Sequence, residues 1–479
     1  MSIAKASNLA DNLRQLLGPD RVLDAHSDLA VYECDAFVIE KHCPSMAVFP
    51  QTTAEVAGIV RLCRQHRVPF VPRGAGTSLA GGGLPVGGGV MVVLTRMREI
   101  LEVNLRDRFA VVEPGVVNAA LNRHLAGTGF HYAPDPSSQG ACTIGGNVAT
   151  NAGGPHTLKY GVTVNHVLGV EIVTADGDVV QIGGAVEDMP GPDVVGTIVG
   201  GEGTLGIVTK IWVRLTRNPE GCRTMLGVFD SVDDATQAIS GIIGAGIIPA
   251  ALEMMDQGIL VAVEAAFRFG FPLDAEAILL IEVDGLEVGL DAQRDRVAAI
   301  CRERGAREVR FAADAKERLQ LWKCRKQAFG AIGRLSPSYC TQDGVVPRTK
   351  LPEILRRIRE IGRKYDLKIV NVFHAGDGNL HPILLFDERQ PEQIKRVLSA
   401  SDEILNECLA CGGSVTGEHG IGLEKLSFMN RMFTDEDLEV MSRLRDALNS
   451  NGLLSPGKLL PTAGACGMEQ VHPGRRAAL

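Results

Sequence analysis

The stretch "DPSSQGACTIGGNVATNAGG", residues 135 to 154, consists almost entirely of glycine, alanine and small polar side chains. Structured segments flank it on both sides, which distinguishes it from a disordered linker. Two further glycine-rich stretches lie in the same half of the chain, "PRGAGTSLAGG" at 72 to 82 and "GGEGTLGIVT" at 200 to 209. Glycine permits positive φ angles and a close approach of backbone to a ligand. Three such loops in one half predict a large cofactor held by backbone atoms.

The first of these loops gives an ambiguous signal when it is taken alone. It contains G-x-G but not the G-x-G-x-x-G of a dinucleotide-binding turn, because Leu79 stands at the last position, and no lysine completes a phosphate-binding P-loop. Its successive backbone N–H groups could bind a pyrophosphate, helped by Thr77 and Ser78. From this loop alone, an ordinary glycine-rich turn is an equally good interpretation.

Length and composition narrow the class of protein. A chain of 479 residues, 45% of them hydrophobic and 22% charged, can form two or more domains with large cores. A net charge of −8, only 5% aromatic residues and no basic run argue against nucleic-acid binding. Eleven scattered cysteines indicate free thiols in a reducing compartment. The single C-x-x-C, Cys408 and Cys411, lacks the second pair that a zinc ribbon or an iron–sulfur site needs.

Local patterns predict several elements. "TTAEVAGIVRLCRQH" predicts a helix that begins at Thr52 or Thr53, and "VLGVEIVTADGDVVQI" predicts a hairpin that turns at Asp176 and Gly177. After residue 221, strands and helices alternate, which predicts an antiparallel sheet covered by helices. The longest apolar stretch, residues 238 to 255, is interrupted by glycines and Pro249. It predicts a helix end, a loop and a strand, not a membrane span.

The C-terminal half carries a candidate metal set on "NVFHAGDGNLHP", residues 371 to 382, and "VTGEHGIG", residues 415 to 422. His374 and His381 are seven residues apart across a tight turn, so both can return to one side of a hairpin. With the carboxylate of Glu418 they would form a recurring catalytic metal set. The imidazole of His419 suits a general base near neutral pH. From spacing alone, histidines that only occupy turns are the commoner case.

Together these motifs resemble a known family of flavoproteins. The three glycine stretches are similar to the FAD-binding domain of the vanillyl-alcohol-oxidase/PCMH superfamily. "HAGDGNLHP", "GEHGIG" and "GLLSPGK" narrow the resemblance to FAD-linked D-2-hydroxyacid dehydrogenases, in the branch that includes the FAD-linked subunit of bacterial glycolate oxidase and D-lactate dehydrogenases. The resemblance covers about residues 20 to 461.

The resemblance implies an α/β (α+β) fold with a PCMH-type FAD-binding domain of two subdomains at residues 1–219. A cap domain with an antiparallel sheet covered by helices would occupy residues 220–445. The tail, residues 446–479, would return to the FAD domain.

The resemblance also implies non-covalent FAD, held by small residues that let the backbone touch a flat cofactor. The residues implied to contact FAD are Pro72, Arg73, Gly74, Ala75, Gly76, Thr77, Ser78, Pro136, Ser137, Ser138, Gly140, Thr143, Gly145, Gly146, Asn147, Thr150, Gly153, Gly154, Tyr160, Gly161, Glu202, Gly203, Gly206 and Ile207.

In this family a divalent metal, which we expect to be zinc, manganese or iron, is implied on His374, His381 and Glu418, with His419 as the base. The metal would lower the pKa of the substrate hydroxyl, and a hydride would pass to the flavin.

Three more residues receive roles from the same resemblance. Arg325, in "LWKCRKQAF", reads by itself as a solvated charge, but its family match places it on the substrate carboxylate, which a guanidinium can bind with two hydrogen bonds. Arg348 is a second candidate for that task, and Asn379 would hydrogen-bond the substrate. Thr341 stands about where dicarboxylate-using relatives carry a lysine, which favours a small monocarboxylate.

The implied reaction is the oxidation of a small D-2-hydroxyacid, glycolate or D-lactate, to the 2-oxoacid. Electrons would leave to a quinone, a cytochrome or an iron–sulfur acceptor, and the family implies a second FAD-binding subunit and an iron–sulfur subunit. With no apolar signal segment at its start, the chain is expected to be cytoplasmic, peripheral at the inner membrane through such a complex.

Three alternative functions are also compatible with the sequence. They are a D-2-hydroxyglutarate dehydrogenase, a redox-neutral flavin transferase related to alkylglycerone-phosphate synthase, and a non-catalytic flavoprotein subunit. The complete set of histidines, Glu418 and Arg325 argues against the last of these.

Overall fold

The structure, a computed structural model, describes residues 3–186 and 190–461. By packing, the chain divides into two compact units. The first unit comprises Met1–Ala152, Val162–Arg217 and Glu418–Leu479, and the second comprises Gly153–Gly161 and Asn218–Gly417. The domains predicted at 1–219, 220–445 and 446–479 stay a prediction, because packing units need not coincide with functional boundaries.

The first unit contains three sheets. Its strands are β1 (Val22–Leu23), β2 (Met46–Val48), β3 (Phe70–Arg73), β4 (Val90–Val93), β5 (Ile100–Asn104), β6 (Phe109–Val112), β7 (Phe130–His131), β8 (Val167–Val173), β9 (Val179–Gly183), β10 (Ile207–Arg214) and β11 (Thr216–Arg217). One sheet has the order β1-β2-β4-β3, with β4 parallel to β2 and β3. The second is antiparallel with the order β5-β6-β10-β8-β9, and β7 pairs with β11.

The second unit is built on one large antiparallel sheet. Its strands are β12 (Gly221–Phe229), β13 (Ala251–Asp256), β14 (Ala277–Gly285), β15 (Ala306–Phe311), β16 (Ser338–Thr341), β17 (Gly344–Val345), β18 (Lys368–His374), β19 (Asn379–Leu380) and β20 (Pro382–Phe386). The order is β15-β12-β14-β13-β18-β19-β17, and β20 pairs with both β16 and β18. The α/β fold class and the antiparallel sheet predicted after residue 221 are confirmed.

Sixteen α-helices lie in the described residues. They are α1 (Ile3–Leu17), α2 (His26–Leu29), α3 (Thr53–His66), α4 (Asn118–His124), α5 (Ile144–Thr150), α6 (Thr157–Tyr160), α7 (Val194–Ile198), α8 (Val232–Gly244), α9 (Gln257–Phe267), α10 (Leu290–Glu303), α11 (Ala315–Lys326), α12 (Ala328–Ile332), α13 (Leu351–Lys364), α14 (Pro391–Ala410), α15 (Met429–Met432) and α16 (Asp435–Leu448). None of the helices in residues 3–186 and 190–461 has both the length and the apolar character needed to cross a membrane.

Local chemistry explains the elements that were predicted. The Thr52 hydroxyl accepts a hydrogen bond of 3.2 Å from the Glu55 amide and so begins α3, which ends where Arg67 adopts φ 54°. The hairpin of β8 and β9 forms as predicted. The apolar stretch at 238–255 is the end of α8, a loop and most of β13, also as predicted.

Helix α5 was not predicted, since the stretch at 135–154 read as a loop. Thr143 caps it by accepting a hydrogen bond of 3.2 Å from the Gly146 amide. The glycines in its first turn lower the helix propensity of this stretch, so the helix could not be predicted from propensity. Its buried residues Ile144 and Val148 belong to the hydrophobic core of the antiparallel sheet.

Candidate active site

The three glycine-rich loops meet in the first unit. A Cβ added to Gly74 would lie 2.6 Å from Thr143 Oγ1, and one added to Gly203 would lie 2.6 Å from Pro72 Cγ. The first loop is therefore packed closely against both the second and the third, with no room for a side chain at Gly74 or Gly203. Gly76 and Gly203 have φ angles of 74° and 68°, which other residues rarely adopt. This backbone-lined surface fits a flat dinucleotide cofactor.

Two buried charged residues support the first loop. Lys458, in "GLLSPGK", is fully buried and donates a 2.6 Å hydrogen bond to the Gly82 carbonyl. Its burial lowers its pKa to about 7. Arg73 donates to the Cys34 carbonyl at 2.8 Å, and its buried Nη1 has no hydrogen-bond partner in the part of the chain that the structure describes, which suits a site for an anion.

The carboxylate of Glu202 has a structural role in the same unit. It accepts hydrogen bonds from the backbone amides of Ile421 and Gly422, at 2.6 and 2.7 Å. Burial raises its pKa, and these amides oppose that effect. Glu202 thereby holds the turn that follows His419, where Gly420 has φ 85°. The Nε2 atom of His419 lies 3.8 Å from Oε1 of Glu418, so the two neighbouring side chains approach each other at this turn.

His374 and His381 lie side by side in the second unit. His374 ends β18, His381 follows β19, and their ring centroids are 5.1 Å apart with the rings nearly perpendicular. Each Nδ1 has a protein partner: Glu253 Oε1 at 2.8 Å from His374, and the Gln342 carbonyl at 3.3 Å from His381. With Nδ1–H as donor, each Nε2 carries the lone pair that a metal ligand needs. The donor set therefore fits a divalent cation.

Arg325 is fully buried, so its interpretation as a solvated charge is wrong. It lies near the end of α11, and its Nε and Nη2 are 2.7 and 2.6 Å from Oε2 of Glu253. Nη1 has no hydrogen-bond partner within the described residues. Burial by itself would raise the pKa of Glu253, but Arg325 and then His374 hold it below its ordinary value. The guanidinium is thus fixed on one edge, with a donor remaining on the other.

Asp343 and Asn379 are two further buried polar residues of the second unit. Asp343 Oδ2 accepts hydrogen bonds from Thr416 Oγ1 at 2.6 Å and from the Gly417 amide at 2.9 Å. Asn379 lies opposite His374 in the sheet, and its buried Oδ1 has no partner among the described residues. A Cβ on Gly417 would come within 2.6 Å of the Asn379 amide, so the backbone that leads to Glu418 is packed against Asn379.

Arg348 and Thr341 belong to the same unit. Arg348 Nη1 donates to the Gly376 carbonyl at 3.3 Å, and Thr341 Oγ1 is buried with no partner in residues 3–186 and 190–461.

Four of the residues implied to contact FAD, Gly153, Gly154, Tyr160 and Gly161, fall in the segment that packs with the second unit. There the Tyr160 hydroxyl donates to Asp284 Oδ2 at 2.6 Å. The other implied FAD contacts lie in the first unit.

Sequence reasoning missed Glu253, Asp343 and Lys458. The available signal was a charge in an apolar or glycine-rich setting: Glu253 interrupts "AALEMM", and Lys458 ends "GLLSPGK". A buried charge needs a partner, and for Glu253 that partner comes from strand pairing with β18.

Comparison with known proteins agrees with this architecture. The family model described as FAD linked oxidases, C-terminal domain, matches residues 218–459, and the one described as FAD binding domain matches residues 44–183. The predicted FAD cofactor is thereby confirmed, while the metal stays a prediction.

Individual relatives extend over nearly the whole chain. The glycolate oxidase subunit GlcD of Escherichia coli strain K12 is 44% identical over 96% of this chain and 93% of its own length. A probable mitochondrial D-lactate dehydrogenase of Danio rerio is 31% identical over 95% of this chain and 92% of its own length. A solved structure of p-cresol methylhydroxylase shares the fold, with a TM-score of 0.80, 19% identity, and coverage of 96% of this chain and 97% of that one. The chain therefore belongs to the family of FAD-linked oxidases.

Proposed function

We propose that this enzyme oxidises a small D-2-hydroxyacid, glycolate or D-lactate, to the 2-oxoacid and passes the electrons to an acceptor other than oxygen. The observation that carries the substrate class is Arg325, a fully buried guanidinium with an Nη1 donor that has no partner in the described residues. A buried cationic donor of this kind suits a carboxylate ligand, because leaving it unsatisfied costs free energy. Two relatives that align over more than 90% of this chain, with 44% and 31% identity, carry the names glycolate oxidase subunit and probable D-lactate dehydrogenase.

The proposed substrate site uses three residues of the second unit. Arg325 Nη1 would donate to the substrate carboxylate, and Asn379 would hydrogen-bond the substrate. Thr341 presents a neutral hydroxyl in a buried position, which supports a monocarboxylate, since a second carboxylate would require a positive partner.

The proposed metal ligands are His374, His381 and Glu418. The hydrogen bonds at both Nδ1 atoms support this assignment, because they favour the tautomer in which Nε2 is the ligand atom. Asp343 supports it as well, since its bonds to Thr416 and Gly417 order the backbone directly before Glu418. When bound, such a cation lowers the pKa of a hydroxyl group.

His419 is proposed to take the hydroxyl proton, and the glycine loops of the first unit are proposed to hold FAD at the predicted contacts. When bound, FAD accepts a hydride from the α-carbon of the substrate. Glu202 supports the role of His419 by holding the turn at Ile421 and Gly422. The predicted FAD contacts include no histidine, which agrees with non-covalent binding.

The electron acceptor is proposed to be a quinone, a cytochrome or an iron–sulfur protein. The relative named as a subunit favours assembly with partner subunits, a second FAD-binding chain and an iron–sulfur chain. We propose that the chain is cytoplasmic and peripheral at the inner membrane through such a complex. The names of the relatives favour this oxidation over a D-2-hydroxyglutarate dehydrogenase, a flavin transferase or a non-catalytic subunit.

Anaerobic spectroscopy tests the proposal. The purified, FAD-loaded chain is mixed without oxygen with a panel of D- and L-2-hydroxyacids, before and after treatment with a chelator. Glycolate or D-lactate should bleach the flavin band, and L-lactate should not. No bleaching by any hydroxyacid refutes the oxidation, whereas unchanged bleaching after complete metal removal refutes only the metal.

A further inference from the structure

One buried carboxylate connects the proposed carboxylate-binding arginine with a proposed metal ligand. Glu253 lies within β13, is 1% exposed, and stands opposite His374 in β18. Its Oε1 lies 2.8 Å from His374 Nδ1. Its Oε2 lies 2.7 Å from Arg325 Nε and 2.6 Å from Arg325 Nη2. Each oxygen therefore serves a different side chain.

We propose that Glu253 is a positioning residue that fixes the Arg325 guanidinium and the His374 imidazole with a single carboxylate. This inference rests on the proposed function, which assigns the substrate carboxylate to Arg325 and the metal to His374. The shared carboxylate turns the Nη1 donor and the Nε2 atom toward their ligands before either ligand is bound. It also couples the carboxylate-binding site to the metal site, because any movement of Glu253 changes the orientation of both Arg325 and His374.

Neither glutamine nor aspartate at position 253 could hold Arg325 and His374 at the same time. Glutamine offers one oxygen and one NH₂ group, so either His374 or Arg325 would face a donor. If the NH₂ group faced His374, Nδ1 would become the acceptor and Nε2 would carry the proton, which removes the lone pair that a metal needs. If the NH₂ group faced Arg325, no oxygen would accept the hydrogen bond from Arg325 Nε, and the guanidinium would no longer be held in place. Aspartate is one methylene shorter and would not reach both partners.

A purely structural ion pair is the competing explanation, and Glu282 provides the matched control. Glu282 is 2% exposed on the neighbouring strand β14 and is held by Thr224, Arg318 and Trp322. None of these three residues is a proposed ligand of the metal or the substrate, and neither is His156, whose Nε2 lies 3.5 Å from Oε1 of Glu282. Glu253→Gln and Glu282→Gln thus make the same chemical change to a buried, hydrogen-bonded carboxylate of one sheet.

The experiment uses the FAD-loaded chain stripped of metal, with Zn²⁺ as the probe. Zn²⁺ affinity is measured by competition with a chromophoric chelator, and KM and kcat for D-lactate or glycolate are measured on the reloaded enzyme. Thermal unfolding first establishes that each variant is folded. Glu253→Gln should weaken Zn²⁺ binding about 10- to 100-fold. It should also raise KM about tenfold, the effect expected for a charged hydrogen bond. Glu282→Gln should change neither by more than about threefold.

Arg325→Lys gives a second test should Glu253→Gln fail to fold. This variant keeps the charge but loses the planar edge that holds Glu253, so it should weaken Zn²⁺ binding although Arg325 is not a ligand. Unchanged Zn²⁺ affinity and unchanged KM in folded Glu253→Gln, or unchanged Zn²⁺ affinity in Arg325→Lys, would overturn the proposal. If the wild type binds no Zn²⁺ yet is reduced by substrate, the metal part of the proposed function fails, and the KM arm alone decides the role of Glu253.

Discussion

The carboxylate of Glu202 accepts a hydrogen bond of 2.6 Å from the backbone amide of Ile421. The two residues are more than 200 positions apart in sequence, yet they join the third glycine loop to the turn after His419. The other carboxylate oxygen of Glu202 accepts a hydrogen bond of 2.7 Å from the next backbone amide, that of Gly422. The loop that is predicted to contact FAD and the turn that carries the proposed base are thus held together within one unit.

Glu202→Gln should therefore slow flavin reduction. The glutamine NH₂ group would face one of the two backbone N–H donors, which would release the turn and displace His419. Because a small misplacement of a reacting group costs on the order of 10²-fold in rate, we expect a loss of about 10- to 100-fold in the reduction rate. Stopped-flow absorbance of the flavin band measures it.

The exposed Glu102 provides the control for that variant, since Glu102→Gln removes a carboxylate from β5 of the same unit. A reduction rate in Glu202→Gln equal to that of Glu102→Gln would show that the turn does not depend on the carboxylate.

Lys458 should make stability depend on pH. Burial lowers its pKa in the folded chain from 10.5 to about 7. Between these values the unfolded chain binds more protons than the folded chain, so stability rises with pH through this window. We expect the difference in unfolding free energy between wild type and Lys458→Met to shift in favour of the wild type by a few kcal/mol from about pH 7 to about pH 10. Urea unfolding at several pH values measures it, and parallel curves for the two proteins would contradict the assignment.

The two glycines Gly140 and Gly145 should respond differently to alanine. A Cβ on Gly145 would lie 2.8 Å from the Pro114 carbonyl oxygen, whereas one on Gly140 meets no atom within 4 Å. Gly145→Ala should therefore lower the unfolding free energy of the apoprotein by about 1–3 kcal/mol, and Gly140→Ala should leave it unchanged. Both variants are compared by thermal unfolding without FAD. Equal melting temperatures would show that the Gly145 contact is not tight.

The buried carboxylate of Glu282 should stabilise the folded second unit at neutral pH, and this stabilisation should be lost in acid. Burial opposes its charge, but His156 and Arg318 hold its pKa well below the ordinary 4.5. A lowered pKa gives stability that is present above pH 4.5 and is lost as the pH falls below it. Glu282→Gln should lose about 3 kcal/mol at pH 7, and this deficit should shrink in acid. Unfolding at pH 7 and pH 4 measures it, and a deficit that does not change with pH would contradict the ion pair.

The sequence predicted those parts of the molecule that depend on neighbours in the chain. Thr52 and the Asp176–Gly177 turn are local signals, so α3 and the β8–β9 hairpin could be predicted before the structure. The resemblance named the loops and histidines, because those residues occur in short, specific motifs.

The parts that were missed depend on pairing between distant segments. Glu253 meets His374 only because β13 pairs with β18, and no local pattern encodes that register. Arg325 was predicted to be solvated because lysines stand near it in the sequence. In the structure it lies on the buried face of α11, where its charge is paired with Glu253.

A single-turnover titration of the flavin tests most directly whether this enzyme oxidises a small 2-hydroxyacid. FAD-loaded enzyme is titrated with D-lactate or glycolate under anaerobic conditions, while the flavin absorbance and the 2-oxoacid are measured together. One equivalent of hydroxyacid should bleach one equivalent of flavin and yield one equivalent of 2-oxoacid. A flavin that stays oxidised with excess glycolate and D-lactate, while FAD remains bound, would refute the proposed oxidation.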